Sequence, residues 1–140
     1  MPDSLSAFYF ENAAHTENVK VAVSARFTDA DGAPVLWELR PVSPEEDDAI
    51  RKSCTIVKQT RNGTVKDFRR DDYVYMAVAR SVVFPDLANK ELQNSWKVMG
   101  EAALLKKMLT QGELTKLLTH YESLNGLDKT FDEMVDDVKN

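Results

Sequence analysis

Val19-Lys20-Val21-Ala22-Val23-Ser24-Ala25-Arg26-Phe27 is the stretch that decides the fold. Apolar residues alternate there with polar or small ones. Successive side chains of an extended chain point to opposite faces, so this period of two predicts a strand with one apolar face. Asp29-Ala30-Asp31-Gly32 comes next, with aspartates that can bond nearby backbone amides and a glycine free to take positive φ. Val35-Leu36-Trp37-Glu38-Leu39-Arg40-Pro41-Val42 then resumes the strand pattern, so the two segments are expected to form an antiparallel hairpin. A two-stranded ribbon is marginal in water. Its apolar face, drawn from Val21, Val23, Phe27, Leu36 or Trp37, and Leu39, must therefore be covered by the helices C-terminal to it.

The remainder reads as helices. Ser43-Pro44-Glu45-Glu46 offers an N-cap hydroxyl, a proline shaped for the first helical position and a glutamate to close a capping box. Ile50, Cys54 and Val57 then recur at helical spacing. Asn62-Gly63 is the preferred pair for a type I′ turn, so the flanks 56–61 and 64–68 fit a second hairpin; a plain flexible loop fits them almost equally well. Asp71 or Asp72 can cap a helix running from Tyr73 to Phe84, apolar nearly all round until Pro85 stops it, and therefore the central one. Further helical pieces are expected around 90–97, 101–109, 111–124 and 130–139. Thr110 and Glu113 cap the third of these, whose stripe is Leu114, Leu117, Leu118, Tyr121 and Leu124, with Asn125-Gly126 as its stop. Thr130 and Glu133 cap the last, whose stripe is Phe131, Met134, Val135 and Val138 and whose outer face carries Asp132, Asp136 and Asp137. The expected class is α+β, an N-terminal antiparallel hairpin packed on a mostly helical C-terminal part. One domain spans 1–140, with 1–17 an extended arm and 128–140 a mobile terminal helix.

Composition narrows the function classes. Of the 140 residues, 43% are hydrophobic and 29% charged, the balance of a globular protein. No run approaches the about 20 apolar residues that cross a bilayer, and the first ten residues lack a basic leader, which points to the cytoplasm and away from a membrane. A net charge of −5 repels phosphate backbones and argues against nucleic acid. Lys58, Arg61, Lys66, Arg69 and Arg70 do gather, but only Phe68 ahead of Tyr73 could stack a base nearby.

Catalytic chemistry finds no foothold in these residues. The glycines at 32, 63, 100, 112 and 126 stand singly, so no phosphate-cradling loop forms. His15 and His120 lie far apart and match no metal-ligand spacing. Cys54, the single cysteine, reads as a small buried hydrophobe, and the paired acids Glu45-Glu46, Asp47-Asp48 and Asp136-Asp137 read as solvated helix faces. An enzyme is not expected, nor a cofactor or metal. Two features could serve a protein partner: the aromatic run Phe8-Tyr9-Phe10 and the terminal stripe Phe131, Met134, Val135 and Val138. The competing reading of both is core packing, because a domain of this size uses most of its aromatics and leucines to close itself.

Several blocks together resemble one known family. They are Ser24-Ala25-Arg26-Phe27-Thr28-Asp29 with Gly32, Trp37-Glu38-Leu39-Arg40-Pro41 and Arg51-Lys52-Ser53-Cys54-Thr55. In order there come next Val82-Val83-Phe84-Pro85-Asp86-Leu87, Glu91-Leu92-Gln93-Asn94-Ser95, Leu104-Leu105-Lys106-Lys107-Met108-Leu109, Gly112-Glu113 and Asn125-Gly126-Leu127. Their order and spacing resemble the XkdN-like tail assembly chaperones of phages and phage-derived tail elements. Trp96-Lys97 stands where the family tends to have Tyr-Gly, and Leu114 where it has an aromatic. The resemblance implies a non-enzymatic protein of the bacterial host cytoplasm, without a cofactor. It would bind the tape measure protein and keep it available before the tail tube polymerises. Other tail proteins and further copies of the chain are the remaining expected partners. A structural component retained in the finished tail or another particle is the alternative, motivated by the compact domain and a hairpin edge able to pair with copies of itself.

Overall fold

The computed structural model describes residues 5–127; the helix expected over 130–139 lies outside them. After a 3-10 helix at Leu5–Phe8 come strands β1 (Val19–Val21) and β2 (Trp37–Leu39), then helix α1 (Pro44–Ser53). Strands β3 (Thr55–Thr60) and β4 (Gly63–Phe68) lead to helix α2 (Arg70–Ser81) and strand β5 (Val82–Phe84). Helices α3 (Lys90–Ser95), α4 (Glu101–Met108) and α5 (Gln111–Leu124) close the described chain. The expected α+β class holds, with both hairpins present.

The first hairpin is shorter than the alternation implies. β1 and β2 pair antiparallel with Val19 opposite Leu39 and Val21 opposite Trp37, and Thr28 and Pro34 form an isolated bridge near the turn. Between these, Val23 and Ser24 leave the ladder and are buried, because tertiary contacts claim the segment. Phe27 packs edge-on against Trp96, ring centroids 6.4 Å apart. The Arg26 guanidinium reaches Glu113 at 2.5 and 3.1 Å and the Met108 carbonyl at 2.6 Å. Trp37 rather than Leu36 turns inward, joining Leu39, Leu104, Leu105 and Leu117 in the core. Asp29 Oδ1 accepts from the amides of Asp31 and Ala33, and Gly32 takes φ +82°, as the turn chemistry requires.

The helix expected from Tyr73 to Phe84 ends at Ser81, and Val82–Phe84 is a third strand on the other side of β2, giving the order β1-β2-β5. The Arg40 amide donates to the Ser81 carbonyl at 2.8 Å, and the Ser81 hydroxyl donates to the Arg40 carbonyl at 2.6 Å. Those bonds, and the pairing of Leu39 with Val82, fix the crossover from helix to strand. The β-branched pair Val82-Val83 suits an extended backbone, but a short apolar run has no period to separate the two states. Arg69, not Asp71 or Asp72, occupies the N-cap of α2; it makes no side-chain cap bond, and both aspartates sit in the first turn. There their charge still complements the helix dipole. α2 is central as expected, packing against α1, α4, α5 and β5 through buried Ala77, Val78 and Ala79.

Two of the predicted capping boxes form, at Ser43 with Glu46 and at Thr110 with Glu113, and the third, Thr130 with Glu133, lies outside the described residues. Cys54 is buried, as a small hydrophobe would be. It ends α1, so Val57 does not continue the helical stripe but lies exposed in β3. The Arg69 amide donates to the Cys54 carbonyl at 2.8 Å and closes the base of the second hairpin, which diverts the chain at that point. Thr60 pairs with Gly63, so the loop is Arg61-Asn62, one residue earlier than the expected Asn62-Gly63. Gly63 carries the positive φ, +118°, from within the strand end.

These ties have measurable consequences. Ser81 is fully buried. Ser81→Ala leaves the Arg40 carbonyl without its hydroxyl partner and is expected to cost about 1–3 kcal/mol in urea unfolding. The Glu46 carboxyl is held down to about 2 by the Arg40 guanidinium first, and then by Ser43, from an ordinary 4.5. A depressed carboxylate stabilises above its unfolded value and loses that contribution as pH falls. Glu46→Gln should therefore lower the urea midpoint at pH 7, and the gap to the parent should close as pH falls from 4.5 to about 2.

Candidate functional site

Within the segment expected to be an arm, Leu5–Phe8 forms one turn of 3-10 helix, and turn bonds continue to Ala13. The Asn12 side-chain amide donates to the Ser6 carbonyl at 2.8 Å, and His15 Nε2 lies 3.0 Å from the Phe10 carbonyl with its ring 4.6 Å from that of Phe10. These contacts are local. Phe8 and Phe10 remain 81% exposed and Tyr9 53%, so core packing does not claim the three aromatics that the sequence marked. Large apolar side chains left together in water make this run a candidate contact surface. The other marked residues, Phe131, Met134, Val135 and Val138, lie outside the described residues.

A second exposed surface is the β3–β4 hairpin, which the sequence pattern did not single out as a partner site. Its ladder runs from Thr55 opposite Phe68 to Thr60 opposite Gly63, and every strand residue except Thr55 is exposed. Alternation places Val57, Lys66 and Phe68 on one face, and Ile56, Lys58 and Val65 on the other. A signal for it does exist in the sequence: the basic cluster coincides with Ile56, Val65 and Phe68, apolar residues that no helix stripe uses.

At the base of the first of these faces sits a polar cluster. The Tyr73 hydroxyl donates to Asp47, Arg51 Nε donates to Asp47 at 2.8 Å, and the Arg51 guanidinium lies over the rings of Tyr73 (4.4 Å) and Phe68 (5.7 Å). The Tyr73 hydroxyl is pushed up to about 12 by burial and by its bond to Asp47. Asp47 is held below its ordinary value by the Tyr73 hydroxyl first, then by Arg51. Both shifts favour the neutral phenol and the ionised carboxylate, the forms that bond to each other in this cluster. Beside it a cleft of about 340 Å³ is lined by Val42, Arg51, Tyr73, Tyr121, Asn125 and Leu127 among others.

The polar contact of Cys54 is the Ser53 hydroxyl at 3.8 Å, and His15 is engaged in its own turn. Among the described residues no three His, Cys, Asp or Glu side chains are placed to hold a metal ion. No helix among them is long and apolar enough to cross a membrane.

A sequence model of the phage XkdN-like tail assembly chaperone proteins matches residues 5–139. The chain belongs to this family. It is 27% identical over 138 residues to the phage-like element PBSX protein XkdN of Bacillus subtilis (strain 168), covering 97% of this chain and 93% of that one. To the uncharacterized protein YqbN of the same organism it is 26% identical, with the same coverage. The crystal structure of YqbN shares the fold, with a TM-score of 0.76 at 22% identity over 89% of this chain and 98% of that chain. Membership in the XkdN-like family gives the general role, that of a tail assembly chaperone.

The exposed aromatic run should be separable from the fold that carries it. Replacing Phe8, Tyr9 and Phe10 together by serine is expected to leave the free energy of urea unfolding within about 0.5 kcal/mol of the parent, since exposed positions contribute little to stability.

Proposed function

We propose that the chain binds the tape measure protein in the bacterial cytoplasm and keeps it soluble until the tail tube polymerises. The exposure of Phe8, Tyr9 and Phe10 carries this reading, because the chain leaves these three consecutive aromatics uncovered while Trp37, Leu39, Leu104, Leu105 and Leu117 close its core. The terminal stripe Phe131, Met134, Val135 and Val138 is assigned to the same partner from its helical spacing. An elongated, helical client presents apolar stripes that aggregate unless masked, and aromatic side chains mask such stripes at small entropic cost. The net charge of −5 helps the pair stay in solution. Neither a cofactor nor an active site enters this role.

Co-expression with the tape measure protein of the same tail gene cluster tests it. The parent chain should raise the soluble fraction of that protein, and the triple serine variant should lose most of the effect while remaining folded. A tape measure protein equally insoluble with and without the parent chain would overturn the reading.

A second reading, a component retained in the finished tail, is favoured by the open edges of β1 and β5, which could pair with a neighbouring copy or another tail protein. Mass spectrometry of purified particles separates the two, because an assembly chaperone leaves before the particle is complete.

A further inference from the structure

The β3–β4 hairpin has a charge that sets it apart from the rest of the chain. From Thr55 to Arg70 it carries Lys58, Arg61, Lys66, Arg69 and Arg70 against Asp67 alone, in a chain whose net charge is −5. Its exposed Val57 and Phe68 share a face with Lys66, and two strands with an uncovered apolar face are marginal by themselves. We propose that this face is the seat of residues 128–140 of the same chain.

Three observations identify the occupant. The segment has the complementary charge: Asp128, Asp132, Glu133, Asp136 and Asp137 stand against Lys129 and Lys139, and Phe131, Met134, Val135 and Val138 supply apolar side chains to meet Val57 and Phe68. The described chain ends in the right place. Leu127 lines the cleft that contains Arg51 and Tyr73, and Arg51 lies over the Phe68 ring at the base of that hairpin face. The opposite face looks elsewhere, since Ile56 lines a cleft with Tyr75, Met76 and Lys106. The length is compatible as well: the ten residues 130–139, with the helical period read from the sequence, span about 15 Å and fit along strands of six residues that span about 20 Å. The seat covers the apolar hairpin face and the terminal stripe in a chain that has no partner. It does not depend on which tail protein the chain serves.

Zero-length carboxyl-to-amine cross-linking of the full chain, mapped by mass spectrometry, reads this seat directly. Carboxylates of 128–140 should join Lys66 well ahead of Lys58, which lies on the opposite face of the same hairpin. Replacing Phe131 and Met134 by serine keeps every acid of the segment, and should cut the Lys66 cross-link about ten-fold by removing the apolar contact. Equal yields at Lys58 and Lys66, or a yield unchanged by the serine variant, would overturn the proposal. An equal mixture of unlabelled and nitrogen-15 chains identifies the donor copy. Cross-links within one copy support the seat, and cross-links joining labelled to unlabelled chains would overturn it in favour of a contact between copies.

Discussion

The exchange of hydrogen bonds between Arg40 and Ser81 is the constraint on which the rest of the structure depends. One residue at the end of β2 and one at the end of α2 satisfy each other's backbone, with the buried Ser81 hydroxyl supplying the second bond. This turns a helix into a strand within a single peptide unit and makes β2 the middle strand of three. Trp37 and Leu39, inward-facing on β2, are then held under the helices and reach full burial together with Leu104, Leu105 and Leu117. Without β5 the first hairpin would remain the marginal ribbon that its own residues describe.

The features legible in the sequence were those written in local chemistry. Ser43 with Glu46 and Thr110 with Glu113 declare helix starts because the donors they satisfy lie within three residues. The alternation around Val19 to Val23 and Trp37 to Leu39 declares strands for a similar reason. Misreadings arose where distant residues decide between two locally acceptable states. Val82-Val83-Phe84 could extend a helix or form a strand, and the backbone of Leu39 chooses. Val57 fits a helical stripe, yet the Arg69 amide on the Cys54 carbonyl stops α1 first. Ala25 to Phe27 keeps its period of two in sequence, but Glu113 and Trp96 pull Arg26 and Phe27 out of the ladder. Long-range contacts of this kind leave no periodic trace.

The candidate surfaces were legible to different degrees for a related physical reason. Phe8, Tyr9 and Phe10 stand out as a run of three aromatics, but whether such a run lines a core or faces water depends on the shape of the rest, and the structure resolves that in favour of water. The β3–β4 hairpin was visible as a turn and as a group of basic residues, yet not as a surface with two faces. Its register had to be known before Lys66 could be set directly opposite Val57, and Phe68 opposite Thr55. A shift of one residue in the loop, from Asn62-Gly63 to Arg61-Asn62, keeps the two faces but changes the partners across the ladder, setting Lys66 rather than Phe68 directly opposite Val57.

Stability and exposure are divided unevenly along this chain, and the division suits a protein that works by holding another. The body is tied by contacts between residues far apart in sequence: Arg26 to Glu113, Arg40 to Ser81 and the Val42 amide to the Asn125 side chain. Within the helical part, Gln93 bridges the Leu87 carbonyl and the Gly100 amide. The 3-10 turn at Leu5–Phe8 and the β3–β4 hairpin are held mainly by bonds within themselves. Elements with few buried contacts open at low cost, which is where binding surfaces that must engage and release are drawn from. A rigid body with adaptable apolar elements at its margin can therefore exchange partners without unfolding. An assembly chaperone needs this asymmetry, since a surface as deeply locked as Trp37 and Leu39 could never let its client go.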